Sequence, residues 1–397
     1  MRHLKRYKHS MNQYILPRGF IFILAMLTAI TPLAIDVYLP SFTQIAAQLY
    51  TSIDQIEITL SLYLLGFALG QLLGGPLSDR YGRKVFIFGG LTLYILFSFL
   101  ISLSQSVEQL WIFRFFQAVG GGFAVVNTSA IVRDVYHGKE GAKIFSIISM
   151  IIMIAPMLAP VIGVGILYFF SWQYIFLFLS LYACILLFFI TKLPETSPQN
   201  RAVGLFSSYT KIFKNLNAML LILASGFGFS GLFVFITKAS FIYMEYFKLD
   251  TGYFSLFFSL NVVSLMLFSR FNIKLLEKYS SMRLFISGIT LQLLVAVILF
   301  TFSSSASLVI VVVGFMLFIG ALGFVFGNAI SLLLEHFGDM SATATALNGV
   351  VGFMISAFVG FSASYFHNGT LAPIFLLMMG TSFLSLSILI LLLKRRV

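Results

Sequence analysis

Long apolar runs, separated by short polar segments, occupy almost the whole chain. Each run holds about 20 consecutive residues, which is the length that an α-helix needs to cross the hydrocarbon layer of a membrane. The runs are continuously apolar and do not alternate with polar residues, so they predict helices and not the strands of a membrane barrel. We predict twelve membrane-spanning helices, at residues 18–39, 56–77, 85–104, 109–131, 143–167, 173–192, 216–239, 252–271, 283–302, 307–333, 342–365 and 371–393.

The amino-acid composition supports these spans. Hydrophobic residues make up 59% of the 397 residues, the chain contains 46 Phe, and the mean hydropathy is +1.00. The core of a water-soluble domain needs a smaller apolar share than this. We therefore predict an all-α membrane protein.

Basic residues concentrate in segments that a twelve-helix topology places on one side of the membrane. Lys and Arg stay on the cytoplasmic side of short loops, and all but three of the 25 lie in such segments if both chain ends are cytoplasmic. The exceptions are Arg114, Lys238 and Lys248. We therefore predict a protein of the cell inner membrane with cytoplasmic N- and C-termini. Because the net charge of +12 is dispersed over many loops, topology explains it and we predict no nucleic-acid partner.

One polar segment, "TKLPETSPQNRAVGLFSSYTKIFKN" at 191–215, divides the predicted spans into six and six. It predicts an N-terminal six-helix bundle at 1–192, a cytoplasmic linker at 193–215 and a C-terminal six-helix bundle at 216–397. Two pseudo-symmetric bundles that hold a small-molecule substrate between them are typical of transporters built from repeats. We expect the chain to work as a monomer in the lipid bilayer.

Sequence features of other function classes are missing. Cys184 is the only cysteine, and the five His fall in tails or loops without the spacing of metal ligands, so we predict no metal and no cofactor. No nucleotide-binding P-loop occurs, which argues against an ATP-driven pump. A membrane-embedded enzyme or a receptor is the alternative from another class, but clusters of acids, His or Ser at a membrane face are not visible.

The segment "GGPLSDRYGRK" at 74–84 concentrates charge between two apolar runs. It contains Asp79, Arg80, Arg83 and Lys84, whereas only 10% of the whole chain is charged. On charge alone, two interpretations remain open. The segment is either an ordinary basic cytoplasmic loop or a set of ions that pair with each other and with a helix end across the bundle interface.

Small residues and helix breakers surround these charges. Gly66, Gly70 and Gly74 recur every four residues, so they share one side of the second helix and let another helix approach closely. Pro76 and Gly82 are predicted to stop this helix and to permit a tight turn.

Ionisable residues inside predicted spans are costly and are therefore candidates for function. Asp36 lies about two to three residues before the outer end of the first predicted helix, and Arg114 lies about five residues inside the fourth. At such similar depths they can pair, and the carboxyl can exchange a proton as the bundles move. Alternatively, Asp36 is a helix-end residue exposed to outside water, and Arg114 is a strut that hydrogen-bonds to a neighbouring helix backbone. Lys238 either reaches the lipid headgroups or favours an anionic substrate.

The residue order of several segments resembles a known family. "GQLLGGPLSDRYGRK" is similar to the G-x-L-x-D-R-x-G-R-K/R loop motif of the major facilitator superfamily. Further segments resemble its drug:proton antiporters of the bicyclomycin-resistance (Bcr/CflA) group; they are "DVYLPSF" at 36–42, "WIFRFFQAVGGG" at 111–122, "APMLAPVIGVGIL" at 155–167, "SWQYIF" at 171–176 and "LPET" at 193–196.

The resemblance implies proton-coupled efflux of small amphipathic molecules by alternating access, with protons as the second partner. It associates Asp36 and Arg114 with proton coupling. It also implies a cytoplasmic gate formed by the loop motif, at Gly70, Gly74, Pro76, Asp79, Arg80, Gly82, Arg83 and Lys84. An antiporter motif of the fifth helix corresponds to Pro156, Pro160 and Gly163, although Ala159 and Val164 stand where the pattern has glycines.

Polar and aromatic residues in or beside the spans are candidates for the substrate cavity, although each has a helix-packing or lipid-facing role as its alternative. They are Tyr38, Tyr63, Gln71, Gln117, Asn127, Phe233, Asn261 and Asn328. Whether the substrates are foreign drugs or an endogenous metabolite such as a siderophore stays open. The acidic loop "EHFGDM" at 335–340 departs from the basic pattern, and we expect it to face basic loops of the other half.

Overall fold

The computed structural model describes residues 19–136, 138–196, 207–337 and 341–396. The tail before residue 19, residues 197–206 of the predicted linker and residues 338–340 of the predicted acidic loop lie outside the described residues. Within the described ranges the regular elements are all helices, and twelve of them are long and apolar enough to cross a membrane. The predicted number of spans is confirmed.

The first six spans carry the labels α1 to α6. Their bounds are α1, Phe20–Asp36 followed by a 3₁₀ turn at Leu39–Ser41 and a helix at Phe42–Gln48; α2, Ile53–Tyr81; α3, Arg83–Ser102; α4, Val107–Val135; α5, Gly138–Phe169; and α6, Gln173–Thr191.

A short linker helix, Ser207–Lys214, leads into the second six spans. Their bounds are α7, Leu216–Ser240 followed by a π-helix at Phe241–Tyr246; α8, Thr251–Leu275; α9, Ser281–Thr301; α10, Leu308–Gly320 followed by a 3₁₀ turn at Ala321–Phe324 and a helix at Phe326–Leu334; α11, Ser341–Tyr365; and α12, Ala372–Arg396. The side of the bundle that carries Gly82 and the linker helix is called the linker face, and the other side is called the distal face.

Side-chain caps define where several spans begin. An oxygen of the residue before the helix accepts a hydrogen bond from the backbone N–H three residues later, which satisfies a donor that the helix itself leaves free. These caps are Ser106, Asn215, Asp250, Ser280 and Ser307. They precede α4 and four helices of the second half. Polar residues between the apolar runs therefore fix where these five spans begin.

The two halves repeat one packing pattern. In each half the first helix packs on the fifth, the second on the fourth and the third on the sixth; these pairs are α1–α5, α2–α4 and α3–α6, then α7–α11, α8–α10 and α9–α12. The apolar segments of α1, α4, α7 and α10 are 61% to 72% buried, whereas those of α3, α6, α9 and α12 are 33% to 44% buried. Between the halves, α2 contacts α11 and α5 contacts α8. The predicted fold of two pseudo-symmetric six-helix bundles is confirmed.

Glycines bring α2 and α4 into backbone contact. A Cβ atom at Gly70 would lie 2.5 Å from the carbonyl oxygen of Val119, and one at Gly122 would lie 2.6 Å from the carbonyl oxygen of Phe67. Both distances are too short for a side chain, so only glycine permits this approach. The close contact predicted from the glycine spacing is confirmed.

The prediction that Pro76 ends the second helix is wrong. The helix α2 continues through Pro76 to Tyr81 and ends at Gly82, whose φ of 106° is a conformation that residues with a Cβ rarely adopt. A proline costs a membrane helix one hydrogen bond, and neighbouring helices make that loss tolerable. The charged motif therefore starts on the last turn of α2.

The predicted end of the first span, near residue 39, is also wrong. The helix breaks after Asp36 and resumes at Phe42, so the complete span is Phe20–Gln48. Pro40 lies in the break and has no N–H to continue the hydrogen-bond ladder. Asp36 is therefore twelve residues from the end of its span and lies deeper in the protein than the sequence predicted.

Candidate functional site

The break in α1 places a carboxyl in the interior of the first half. Asp36 is the last residue of the helix before the break, and it is only 3% exposed. Its Oδ1 atom is buried and has no hydrogen-bond partner in the described part of the chain. A buried carboxylate without partners is costly, whereas a proton removes its charge. The interpretation of Asp36 as a helix-end residue in outside water is therefore wrong.

Arg114 of α4 is completely buried beside the same break. Its Nη1 atom donates to Gln117 Oε1 at 2.7 Å, and its Nη2 atom donates to the carbonyl oxygen of Ala34 at 3.1 Å. The guanidinium lies 4.4 Å from the ring centroids of both Tyr38 and Tyr63. Two hydrogen bonds and two cation–π contacts thus hold the cation in one orientation.

Asp36 and Arg114 do not form an ion pair among the described residues. Arg114 instead binds the backbone of α1 two residues before Asp36, as expected for the strut that the sequence offered as an alternative. The guanidinium still keeps a fixed positive charge next to the helix that carries the carboxyl. This arrangement lets the carboxyl gain or lose a proton without breaking a direct salt bridge.

The antiporter motif of α5 packs against the break. Pro156 and Pro160 lie inside the continuous helix Gly138–Phe169. A Cβ atom at Gly163 would overlap the carbonyl oxygen of Val37, the residue that follows Asp36. The missing side chain of Gly163 therefore lets the irregular backbone of α1 lie directly on α5.

The charged loop motif forms a network around Arg83, which is buried at the start of α3. Arg83 pairs through Nη2 with Asp79 and through Nε with Asp134 of α4, the latter at 3.3 Å. Its Nη1 atom also donates to Ser78 Oγ at 2.8 Å. Arg80 is exposed and stacks on Tyr81, with 5.2 Å between the guanidinium carbon and the ring centroid. The network joins the ends of α2, α3 and α4.

A residue that the sequence did not single out anchors this loop. Glu195, in the "LPET" segment after α6, accepts hydrogen bonds from the backbone N–H groups of Arg83 at 2.9 Å and Lys84 at 3.0 Å. The Lys84 ammonium donates to the carbonyl oxygen of Thr191 at 2.6 Å. A carboxylate at the positive N-terminus of α3 is stabilising, and the acid directly after a predicted span was the signal that could have identified it.

The eight predicted cavity residues separate into three groups. Tyr38, Tyr63 and Gln117 surround Arg114, and Gln117 also donates to Ser98 Oγ at 2.7 Å. The amides of Asn127 and Asn261 bond to carbonyls of their own helices, and the amide of Asn328 bonds to Asn272 of α8.

Phe233 and Gln71 form the third group, which lies near the contact of α2 with α11. Phe233 packs on Phe353, and Phe353 packs edge-on against Phe67 of α2 with 5.1 Å between centroids. Gln71 of α2 faces Gly349 of α11.

Lys238 occupies a place that neither sequence interpretation gave it. Its side chain is fully buried, so it does not reach the headgroups, and its Nζ atom lies 2.6 Å from Asp54 Oδ1 and 2.6 Å from Glu57 Oε2. Two carboxylates already neutralise it, which leaves no free cation for an anionic substrate. Glu57 lies inside the predicted second span, so the rule that selected Asp36 applied to it as well.

The described ranges contain no group of three or more His, Cys, Asp or Glu side chains suited to a metal ion.

Comparison with known proteins identifies the family. The model of the Major Facilitator Superfamily matches residues 24–361. The chain belongs to the major facilitator superfamily. The resemblance inferred from the motifs is thereby confirmed, and the protein is a multi-pass membrane protein of a transporter family.

Relatives and solved structures agree with this membership. The chain is 31% identical over 372 residues to a bicyclomycin resistance protein homolog of Haemophilus influenzae, with 91% of this chain and 93% of the relative covered. It is 31% identical over 263 residues to a chloramphenicol resistance protein of Pseudomonas aeruginosa, with 66% and 63% covered. A crystal structure of a D-xylose-proton symporter matches with a TM-score of 0.72 at 17% identity, covering 94% of this chain and 96% of the other; this match shows the fold alone.

The contact between α5 and the break can be tested with one methyl group in this superfamily member. Gly163→Ala places a Cβ on the Val37 carbonyl, and such overpacking should lower stability by about 1 to 3 kcal/mol. Gly165→Ala is the matched control, because nothing lies within 4 Å of a Cβ at that position. The stability of both variants is measured as the thermal unfolding midpoint of the purified protein in detergent. Equal midpoints for the two variants would contradict the contact.

The anchor of the loop motif is tested by Glu195→Gln. The amide keeps one acceptor but loses the charge at the α3 N-terminus, so we expect a loss of about 1 to 2 kcal/mol. Glu277→Gln, at an exposed carboxylate after α8, serves as control. A Glu195→Gln midpoint as high as that of the control would show that Glu195 does not anchor the loop.

Proposed function

We propose that the protein exports small amphipathic molecules, of the kind that drug-resistance transporters expel, in exchange for protons by alternating access. It would work as a monomer in the cell inner membrane, with the linker face in the cytoplasm. The observation that carries this proposal is the buried Asp36 carboxyl, with an unpartnered oxygen, at a helix break beside the fixed Arg114 cation. The names of the relatives, resistance proteins for bicyclomycin and chloramphenicol, support the substrate class.

Asp36 is the proposed proton carrier. Each proton that enters the cell releases about 2.3 kcal/mol for every 100 mV of membrane potential and about 1.36 kcal/mol per pH unit. Reversing a two-state preference from 1:99 to 99:1 takes about 5.5 kcal/mol, so one or two protons supply energy on the required scale. Arg114 acts as a positioning residue that holds α1 near Asp36 through its hydrogen bond to the Ala34 carbonyl.

The moving parts are residues 1–192 and 216–397, joined by the cytoplasmic linker at 193–215. The aromatic cluster of Phe67, Phe233 and Phe353, together with Gln71, supplies the surface between the halves on which an amphipathic molecule is bound. Rings and a single amide suit a solute that is mainly apolar and carries few polar groups.

The loop motif is the proposed cytoplasmic latch. Tyr209, on the linker helix, lies against the glycine-rich end of α2, 3.8 Å from the place of a Cβ at Gly75. Burial, and next the nearby Asp79 carboxylate, raise the pKa of Tyr209, so its hydroxyl stays protonated. The contact of Tyr209 with α2 exists only while the linker face is closed. It therefore shifts the equilibrium between the open and closed states by its own free energy.

Asp36→Asn should abolish proton-driven efflux while leaving the protein folded, because Asn is isosteric with Asp but carries no exchangeable charge. Uptake of a fluorescent amphipathic dye into inside-out vesicles, energised by a pH gradient and collapsed with a protonophore, measures this. Glu140→Gln, at an exposed acid, is the control and should transport normally. Full gradient-driven transport by Asp36→Asn would remove Asp36 from the mechanism.

Asp79→Asn should shift the population toward inward-open and weaken transport. The pair with Arg83 lies within the first half, so Asp79 acts on the other half only through the linker helix, where it lies near Tyr209. With 49% of the Asp79 side chain accessible, this contact is worth at most about 1 kcal/mol, or about fivefold in the open-to-closed ratio. The rate at which an impermeant maleimide labels Gln71→Cys from the cytoplasmic side, in a Cys184→Ser background, reports this ratio. Glu277→Gln, at an exposed acid outside the loop motif, is the control, and unchanged labelling and transport in Asp79→Asn would refute the latch.

The substrate itself is best found in a deletion strain. Increased sensitivity to a panel of inhibitors, lost in the Asp36→Asn complement, would support drug efflux. Accumulation of one cellular metabolite without any change in sensitivity would instead assign the same mechanism to an endogenous compound.

A further inference from the structure

Buried charges connect the two halves of the protein at the distal face. Asp54 and Glu57 lie one turn apart at the start of α2, in the first half, and Lys238 lies near the end of α7, in the second. The Lys238 Nζ atom is 2.6 Å from Asp54 Oδ1 and 2.6 Å from Glu57 Oε2. These three residues are called the distal lock. Any movement that separates the halves at this face must pull the cation away from both acids.

Further polar contacts surround the lock on both sides of the interface. Ser364 of α11 donates to Glu57 Oε2 at 3.1 Å, and Ser240 of α7 donates to the carbonyl oxygen of Leu39 in the break of α1 at 2.7 Å. Directly after Ser240 the helix widens into the π-helix Phe241–Tyr246, a feature that is frequent at functional sites. The distal face is thus closed by ions and hydrogen bonds between the halves.

The lock has room for one more positive charge. It contains two carboxylates and one ammonium, so it carries a net negative charge. The Oε1 atom of Glu57 is buried and has no partner in the described ranges, although the other oxygen of the same carboxyl binds Lys238 and Ser364. The hydroxyls of Ser61 and Thr237, also buried without partners there, both lie against Gly360 of α11. The free Oε1 atom is the position at which Glu57 can bind a proton once Lys238 no longer neutralises the carboxylate.

The lock is reachable from the distal side. A cavity of about 540 Å³ opens there and is lined by Asp54, Phe241, Glu245 and His367 among others. The Asp54 side chain is 33% exposed to it, whereas Glu57 lies behind Asp54 and is fully buried. Solvent protons therefore reach Asp54 first, and they reach Glu57 once the halves part.

Several titratable or charged groups face the lock from the elements packed around it. They are Tyr38 of α1, Asp54 and Glu57 of α2, Lys238 of α7, Glu245 of the π-helix and His367 after α11. His367 Nε2 lies 3.9 Å from Asp54 Oδ1. Burial, and next the Lys238 ammonium, lower the pKa of His367, so this ring is neutral near neutral pH while the lock is closed.

We propose that the distal lock is a second proton-binding site, in which Glu57 takes up one external proton as Lys238 withdraws and the outer face opens. When the halves part, Lys238 leaves with α7, and the two carboxylates remain one turn apart without their cation. An O–H bond forms on Glu57 with a proton from external water, which removes the repulsion between them. On closure Lys238 returns, the O–H bond breaks, and the proton passes back to external water in the distal cavity. This inference rests on the proposed function, since it requires alternating access.

The sign of the pH dependence follows from this linkage. The open state binds one proton more than the closed state, so external acid favours opening. For a single proton the open-to-closed ratio changes by at most about tenfold per pH unit. A shallower slope would mean fractional uptake, and a slope of zero would mean none.

The test measures opening directly in the full-length protein in lipid nanodiscs. Spin labels are placed at Gln105→Cys and Ser304→Cys, exposed positions in distal loops of the two halves, in a Cys184→Ser background. Their distance distribution by double electron–electron resonance is recorded from about pH 5 to about pH 8. We expect the long-distance population to grow as the pH falls, with a slope approaching about tenfold per pH unit.

Variants distinguish proton binding at Glu57 from the titration of neighbouring groups. Glu57→Gln imitates the protonated side chain, so it should enlarge the open population at high pH and remove most of the pH response. Glu245→Gln, an exposed acid on the same cavity, and His367→Gln should leave the response as in the wild type. Glu57→Lys combined with Lys238→Glu should restore a closed face at high pH. Loss of the response in His367→Gln, or its full retention in Glu57→Gln, would overturn the proposal.

The pH dependence of the label distance is also measured without any substitution at the lock. The proposal can therefore be refuted even if one of the lock variants folds poorly. A wild-type distance distribution that does not change with pH would overturn it outright. Asp36→Asn is included because it should keep the distal pH response even though it stops proton-driven efflux. If Asp36→Asn transports fully, the proposed function fails, while the label distances still decide independently whether the lock binds a proton.

Discussion

A charge inside an apolar bundle is tolerated only where another helix supplies an opposite charge or a hydrogen-bond partner. The buried cations of this chain obey that constraint in three places. Arg114 holds Gln117 and a backbone carbonyl of α1, Arg83 holds two acids of α2 and α4, and Lys238 holds two acids of α2. Each cation therefore ties together specific helices, and the choice of helices determines which parts of the protein move as units.

Two of these cations stabilise one half, and the third connects the halves. The described partners of the Arg83 and Arg114 side chains lie within the first half, where glycine contacts such as Gly70 against Val119 also hold backbone against backbone. Lys238 instead bridges the two halves, beside the hydrogen bond of Ser240 to Leu39 and the packing of Phe353 on Phe67. Strong coupling within the first half and a separable charge pair between halves are what rocking of rigid bundles requires.

The sequence predicted the helices and their pairing better than the depth and partners of its charges. Continuous apolar runs and glycines every four residues are local patterns, so twelve spans and the α2–α4 contact followed from them. The depth of Asp36 did not, because the break at Pro40 extends α1 beyond the apolar run on which the count was based. Glu57 and Glu195 were overlooked since their partners, Lys238 and the start of α3, are distant in the chain and become neighbours only through folding.

The acids at the distal face outnumber the ammonium group between them, and the exposed Glu245 borders the same cavity. A concave opening in the low-dielectric protein focuses such a surplus of negative potential. In the proposed export, solutes that leave through it are sorted by sign, since positive compounds are concentrated at the mouth and anions are repelled. Part of the selectivity of this protein is then exerted at the moment of release, as an electrostatic filter at the exit that acts after recognition between the bundles.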